Sequence, residues 1–211
     1  MKIAELFEMA LPRDEDLHRV YYHGAEDFSL FEKIKTQGLK APEILNPKRS
    51  LAPQQGKVYI TPHLHYAMIY AIGGDLAGTN APAHWLKDKP FGLLCVIKGS
   101  KLKDIVPDED SIGELIWKKK PAWLFNFASR NLGDATFKKV MDGDYVSWAR
   151  AGKTLVKKLS DAQKLELIDN GAHIAHDGGL MVSEIWKFDK HLCPQLKQDG
   201  SNFFELAEKM P

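Results

Sequence analysis

Arg19-Val20-Tyr21-Tyr22-His23-Gly24 reads as a strand that ends by presenting a histidine beside a glycine. Tyr21 and His23 lie two apart, so both side chains leave one face, while Val20 and Tyr22 point the other way into a core. Gly24 then lets the backbone turn, or lets a ligand approach it closely. The same six residues also describe a strand that merely ends in a solvated histidine. What decides between the two is whatever the rest of the chain brings to meet it.

After Gly24, Asp27 is placed to N-cap a helix with Leu30, Phe31 and Ile34 on one face, and Gly38 stands where a left-handed residue would stop it. Before the strand, Pro12 and the charged run Arg13-Asp14-Glu15-Asp16 break from residues 2–10, whose Ile3, Leu6, Phe7 and Ala10 have the spacing of a short amphipathic helix, a lid or strap. Residues 40–56 hold Pro42, Pro47 and Pro53 without periodicity and read as a long loop, a feature often functional in a compact domain. Residues 57–60 form the next strand, with Thr61 and Pro62 as N-cap and first residue of a helix. Leu64, Ala67, Met68, Ala71 and Ile72 make its apolar stripe, and Gly73-Gly74 end it. Residues 73–90 return to loop. Residues 91–97 read as a strand buried on both faces, closed by Lys98-Gly99-Ser100, with residues 102–106 extending the same sheet.

From about 109 to 170 the patterning is helical and locally basic. Residues 117–158 carry ten Lys or Arg against three Asp, with Trp117, Trp123, Phe125, Phe127, Phe137, Tyr145 and Trp148 interleaved. Such a stretch is either a docking surface for an acidic partner or a set of helices with a solvated lysine face. Ser160 with Gln163 is a capping box for a helix ending at Asn170-Gly171. A last strand, Val182-Ser183-Glu184-Ile185-Trp186-Lys187-Phe188, follows a Gly178-Gly179 turn, and a segment with Phe203, Phe204 and Leu206 closes the chain.

With 211 residues, 44% hydrophobic and 27% charged, the chain has the size of a single soluble domain carrying an insertion, here at about 109–170. A net charge of +1 gives no whole-molecule pull toward nucleic acid or membrane. No apolar run is long enough to span a membrane, and the start lacks a signal peptide's apolar segment, so the expectation is a cytoplasmic protein with no membrane partner. Cys95 and Cys193 have no paired spacing and read as reduced thiols. His63 and His65 fall on different faces of a helix start; His173, His176 and Asp177 lack a third or fourth ligand at a recognisable spacing, so no metal is expected.

A strand-end His-Gly, a strand-end Tyr leading into a helix with a second Tyr, and a late strand opening with Glu together resemble the ADP-ribosyltransferase superfamily, in its diphtheria-toxin-like and poly-ADP-ribose-polymerase-like branch with a His-Tyr-Glu signature. The matching stretches are Tyr22-His23-Gly24 with Ile34 and Gly38-Leu39; Gly56-Lys57-Val58-Tyr59-Ile60-Thr61 with Tyr70-Ala71; Phe91-Gly92-Leu93-Leu94-Cys95-Val96 with Gly99; and Ser183-Glu184-Ile185-Trp186-Lys187-Phe188-Asp189. They cover roughly half the chain, and residues 107–178 have no counterpart. Ala67 stands where polymerase-like members place a serine, and Val182 where arginine-modifying members carry a second acidic residue or glutamine. The opening Met1-Lys2-Ile3-Ala4-Glu5-Leu6-Phe7-Glu8 also resembles the openings of some tailed-phage proteins.

The resemblance implies an α+β fold of split antiparallel sheets with flanking helices, in one domain over residues 1–211. It implies a NAD-dependent mono-ADP-ribosyltransferase that cleaves the nicotinamide–ribose bond and passes ADP-ribose to a macromolecular acceptor, protein or nucleic acid. In that pattern Glu184 is the catalytic carboxylate, His23 binds the adenosine ribose, the Gly24 backbone grips the carboxamide, and Tyr59 and Tyr70 sandwich the nicotinamide ring beside Ala67. Lys48 and Arg49 would meet the diphosphate or stand as solvated loop charges. The alternatives are a non-catalytic nucleotide- or partner-binding protein of the same fold, or a NAD glycohydrolase.

Overall fold

A computed structural model describes residues 19–41, 56–73, 88–99, 105–197 and 200–211. In chain order these form β1 (Val20–Ala25), a 3-10 turn (Phe28–Leu30) running into α1 (Phe31–Gln37), β2 (Lys57–Ile60), α2 (Leu64–Ile72), β3 (Phe91–Lys98), β4 (Ile105–Pro107), α3 (Glu109–Trp117), α4 (Ala122–Asn131), α5 (Asp134–Met141), α6 (Tyr145–Leu155), α7 (Asp161–Asp169), β5 (Ile174–Asp177), β6 (Glu184–Asp189), α8 (Phe203–Leu206) and β7 (Glu208–Lys209). The architecture is α+β, with a four-stranded antiparallel sheet ordered β1-β3-β6-β7 and a three-stranded sheet ordered β2-β5-β4. The chain divides into two compact units. One holds the described residues 41, 56–59 and 105–177; the other holds 19–40, 60–73, 88–99, 178–197 and 200–211. The helix expected over 2–10, the loop residues Lys48 and Arg49, and the loop at 74–87 lie outside the described residues.

In the unit built on the four-stranded sheet, β3 is the central strand. Its apolar run, residues 92–97, is buried throughout, which both faces of a sheet permit only when both are covered. Register assigns the faces: Tyr22, Val96 and Glu184 share one lateral row, and His23, Cys95 and Ile185 share the next. Paired residues of an antiparallel ladder leave the same face and successive rows alternate. Tyr22, Gly24, Gly92, Leu94, Glu184, Trp186 and Phe188 therefore lie on one face, and Tyr21, His23, Cys95 and Ile185 on the other. Tyr21 is fully buried and Tyr22 half-buried, a correction to the sequence expectation that only the Tyr22 face meets a core. Burial also pushes the Cys95 thiol up to about 12.

Helix α2 is seated on the first face through glycine. A Cβ added at Gly24 would collide with the Ala67 carbonyl, and one at Gly92 with the Ala71 carbonyl, so the helix backbone lies directly against the sheet. Of the expected stripe Ala67, Met68, Ala71 and Ile72 are buried and Leu64 is partly so; Ala67, Met68 and Ile72 pack with Leu94, Phe188 and Phe203. Gly73, at φ 71°, provides the left-handed stop. The helix begins at Leu64 rather than Pro62, because Thr61 is held extended by an isolated bridge to Tyr22, with both backbone bonds made. Thr61 still acts locally, its Oγ1 accepting from the His63 amide. Asp27 accepts from the Ser29 amide and caps the 3-10 turn that leads into α1; Leu30 is exposed there, and only Phe31 and Ile34 turn inward.

The second unit is mainly helical. Gly113 of α3 admits Trp148 of α6, and Gly152 of α6 admits the Glu109 backbone, so the two helices meet at backbone distance around Ile112, Ile116, Ala151 and Leu155. The capping box of α7 is present in both directions between Ser160 and Gln163. β4 pairs with β5 and so belongs to the three-stranded sheet, not to that of β3 as its position after the Gly99 turn implied. β5 itself has no sequence expectation behind it. His176 is buried on this strand, and His173 stands just before it.

The start of α3 holds a buried acid. The Asp108 amide donates to the His173 carbonyl, and Ser111 Oγ both donates to Asp108 Oδ2 and accepts from the His173 amide. Burial pushes the Asp108 carboxyl up to about 7, reinforced by the charges of Asp110 and Glu109 against the opposing pull of nearby helix amides. Burial likewise raises Asp110 to about 6. An acid with a raised folded pKa favours the protonated fold, so its contribution is fully present below the unfolded value of 3.8 and is lost as pH rises toward 7. We expect the denaturant midpoint of the protein to fall between about pH 4 and pH 7, and Asp108→Asn to flatten most of that fall. A variant whose midpoint falls in parallel with wild type would show that Asp108 ionises at little cost.

Candidate functional site

The residues singled out by the resemblance divide by unit and by face. Gly24, Ala67 and Tyr70 come together: Gly24 lies near the end of β1, the Ala67 carbonyl lies against it, and the Tyr70 Cβ is the nearest side-chain atom. Tyr70 is 61% exposed, so its ring projects from α2 rather than filling the core. Glu184 opens β6 on the same sheet face, two strands across from Tyr22. Strand spacing puts its backbone roughly 12 Å from Gly24, two strands over and two residues along. His23 is half-buried on the opposite face, in register with Cys95 and Ile185. Tyr59 is half-buried on β2, in the other unit, between the buried Val58 and Ile60.

Glu184 is held by contacts from three directions. The Val96 carbonyl accepts from the Ser183 amide while Glu184 itself is in register with Val96, so two residues of the incoming strand oppose one of β3. That is the count of a β-bulge, which re-aims the side chain at its site. The Ser183 Oγ accepts from the Lys98 amide and fixes the same bend. Trp186 Nε1 donates to one carboxylate oxygen at 3.1 Å, and Lys209 Nζ lies 2.8 Å from the other. Lys209 arrives on β7, paired opposite Trp186, with the Lys187–Glu208 ion pair and the Met210 amide bonded to the Ile185 carbonyl securing the strand. The Lys209 hydrogen bond is the main reason the Glu184 carboxyl lies below its ordinary range; the Trp186 bond and the charges of Lys209 and Lys98 add to it against partial burial.

Trp186 was within reach of sequence reasoning, since it stands two residues beyond Glu184 on the same strand face. Lys209 was not, because a two-residue strand near the end of the chain has no period to read. β6 is not an edge strand, since β7 pairs along its outer side.

Other polar groups near α2 have a different organisation. The rings of His63 and His65 are 5.6 Å apart, because His63 sits in the extended N-cap position rather than in the helix, and His65 packs on Tyr66 at 4.2 Å. Among the described residues no group of three or more His, Cys, Asp or Glu is gathered as a metal ion would need. Both cysteines are free thiols, and among the described residues no helix is long and apolar enough to cross a membrane. Comparison with protein-family models, with curated proteins and with solved structures finds no match to this chain.

What this arrangement can do is keep one carboxylate ionised, oriented and only partly solvated on the sheet face over which α2 carries its exposed Tyr70 ring. Lys209→Met should raise the Glu184 carboxyl pKa toward its ordinary value, followed by NMR titration of the side-chain carboxyl. Because the wild-type pKa is depressed, the stabilisation it carries is present above the ordinary glutamate pKa and lost as pH falls through the lower folded value, so the variant should lose stability at neutral pH and not in acid. Lys187→Met, which removes the pairing to Glu208 and the ammonium's contacts with the Phe28 and Phe91 rings but no contact of Glu184, should leave the Glu184 titration in place. An unshifted Glu184 in Lys209→Met would mean that the contact carries no electrostatic weight.

Proposed function

We propose that this chain is a NAD-dependent mono-ADP-ribosyltransferase with Glu184 as its catalytic carboxylate. The observation that carries the proposal is the Glu184 carboxylate, aimed by a bulge and kept ionised by Trp186 and Lys209, on the sheet face where Gly24, Ala67 and the exposed Tyr70 meet. The two antiparallel sheets, with the glutamate strand β6 beside the core strand β3 and β3 beside the His-Gly strand β1, agree with the split-sheet fold that the resemblance implies.

The chemistry asks for these parts. As the nicotinamide–ribose bond breaks, its electron pair leaves with nicotinamide and positive charge develops on the ribose, which a fixed anion stabilises more than it stabilises the ground state. Glu184 supplies that anion and an acceptor for a ribose hydroxyl. Tyr70 offers a face for the nicotinamide ring, a stack worth about 0.5 to 1.5 kcal/mol. The Gly24 backbone, whose Cβ position is taken by the α2 backbone, is the part that the resemblance gives to the carboxamide. The acceptor nucleophile then bonds to the ribose carbon and gives up its proton; water in that place makes the reaction a glycohydrolysis. His23 leaves the opposite sheet face, so the proposal rests on Gly24, Tyr70 and Glu184 rather than on the histidine.

One observation favours a second reading, a nucleotide-binding protein without turnover. Both Glu184 oxygens already have partners within the protein, and Ala67 lacks the hydroxyl that polymerase-like members place there. Release of nicotinamide from NAD separates the two readings. Glu184→Gln should lower that release by about 10² to 10³, the loss that follows removal of one transition-state electrostatic contact, with an unchanged circular dichroism spectrum. Tyr70→Ala should weaken NAD binding in calorimetry, with thermal unfolding followed alongside to separate a binding loss from a folding one. Binding of NAD by wild type with no nicotinamide released would leave the binding reading in place, and activity of Glu184→Gln within about threefold of wild type would remove Glu184 from the mechanism.

A further inference from the structure

On the helical unit, Trp117 and Tyr145 form an exposed aromatic pair around a single buried anchor. Trp148, packed against Gly113 and donating its indole N–H to the Val140 carbonyl at 3.0 Å, is nearly buried. Trp117 lies against it with ring centroids 5.4 Å apart, and Tyr145 meets it edge-on at 4.6 Å. Yet Trp117 is 43% and Tyr145 63% exposed. A tryptophan and a tyrosine left in water while fixed by a third ring are poor core residues and good stacking faces.

The charge around them has one sign in excess. Lys118, Lys119 and Lys120 follow Trp117 directly, and all three are exposed. Lys138 and Lys139 end α5, and their carbonyls receive the amides of Asp142 and Asp144 in the turn whose Gly143 closes against the Trp117 indole. Of the neighbouring acids, Glu114 is paired with Lys118, and Asp144 is spent on capping α6 through Val146 and Ser147. Among the described residues Lys119, Lys120, Lys138 and Lys139 make no ion pair with an acid, although the Lys139 charge acts on Asp144 and the Lys119 ammonium lies over the Phe125 ring.

We propose that this patch binds single-stranded nucleic acid, with bases stacked on Trp117 and Tyr145 and the backbone phosphates met by Lys119, Lys120 and Lys139. Stacking is indifferent to sequence because every base has a π-face, and the lysines supply the phosphate contacts, so the two features of the patch are the two requirements of that ligand. A duplex, whose bases are already stacked, satisfies only the lysines. An acidic protein face satisfies only the lysines too. The proposal stands on the helical unit alone and is independent of the NAD reading.

The test uses the full chain with a fluorescently labelled 15-nucleotide oligo-dT, followed by anisotropy across a salt series. Wild type should bind, with log affinity falling by about 0.7 per neutralised phosphate per unit of log salt. Tyr145→Ala and Trp117→Ala should each weaken binding at least about fivefold, the lower end of what a lost base stack is worth, with the salt slope unchanged. Lys119→Glu with Lys120→Glu should instead reduce the slope. Because Tyr145 is mostly exposed, Tyr145→Ala keeps the test sound even if Trp117→Ala perturbs Trp148, and circular dichroism of each variant checks this. Absence of binding by wild type at low salt overturns the proposal. So does aromatic replacement without effect, or equal affinity for duplex DNA or poly-glutamate, which would make the patch a plain cation surface.

Discussion

The contact on which the rest of its unit depends is the seating of α2 against two residues that have no side chain. Gly24 and Gly92 sit on adjacent strands, and each takes the backbone of the helix where a Cβ would stand. Any larger residue at either place forces the helix outward by the thickness of a methyl group, opening a gap beneath Met68, Ile72 and Leu94. Packing at protein density tolerates such gaps poorly, at a few kcal/mol for a buried side chain's worth of void. The same seating sets the geometry of the candidate site. It holds Ala67 and Tyr70 over the end of β1, and it does so with backbone rather than with side chains that could rotate away.

Against that rigid floor, Glu184 is fixed by chemistry of a different kind. A carboxylate that is one-third exposed gains little from any one surface pairing, because solvent screens it. Three constraints acting together alter this: a bulge in the backbone, an indole N–H and an ammonium whose own strand is tied down at both Glu208 and Met210. The result is a charge with a defined direction. The cost is that its lone pairs are partly used, and whether a substrate hydroxyl can compete for them is what separates turnover from binding.

How much of this was legible in the sequence depended on whether the determining interaction was local. The β3 run was readable because six buried residues in succession need no partner to be recognised, and the α2 stripe because Ala67, Met68, Ala71 and Ile72 repeat with the helix. Ser160 and Gln163 announced their capping box across three residues. What failed was non-local. Thr61 looks like an N-cap until its bridge to Tyr22 delays the helix, β4 looks like a continuation of β3 until β5 claims it, and β5 is a four-residue strand whose alternation is too short to register. Of the candidate site, spacing relates only Ala67 and Tyr70, three apart on one helix, and it is the resemblance that brings Gly24 to them. The side on which His23 emerges follows from register, and register is a property of three strands rather than of one.

The rim where β1 ends and β3 begins has its own organiser in Lys190, which is 2% exposed and whose ammonium donates to the Glu26 carbonyl at 2.8 Å. Its amide also bonds to the Pro90 carbonyl. One residue thus ties together the exit of β6, the entry of β3 and the exit of β1, two positions beyond Gly24. Burial lowers the Lys190 pKa, opposed by the charge of Glu26, and Lys89 pairs with Glu26 and Asp27 at the same rim, 3.5 and 3.4 Å away. A lysine buried against a carbonyl is a costly way to join three strand ends if the join is merely structural, since an apolar side chain of similar volume would bury at no desolvation cost. What an apolar side chain cannot do is fix the direction of the Glu26 carbonyl, and with it the backbone that follows Gly24. The expense is therefore located where the position of backbone, rather than of any side chain, has to be held.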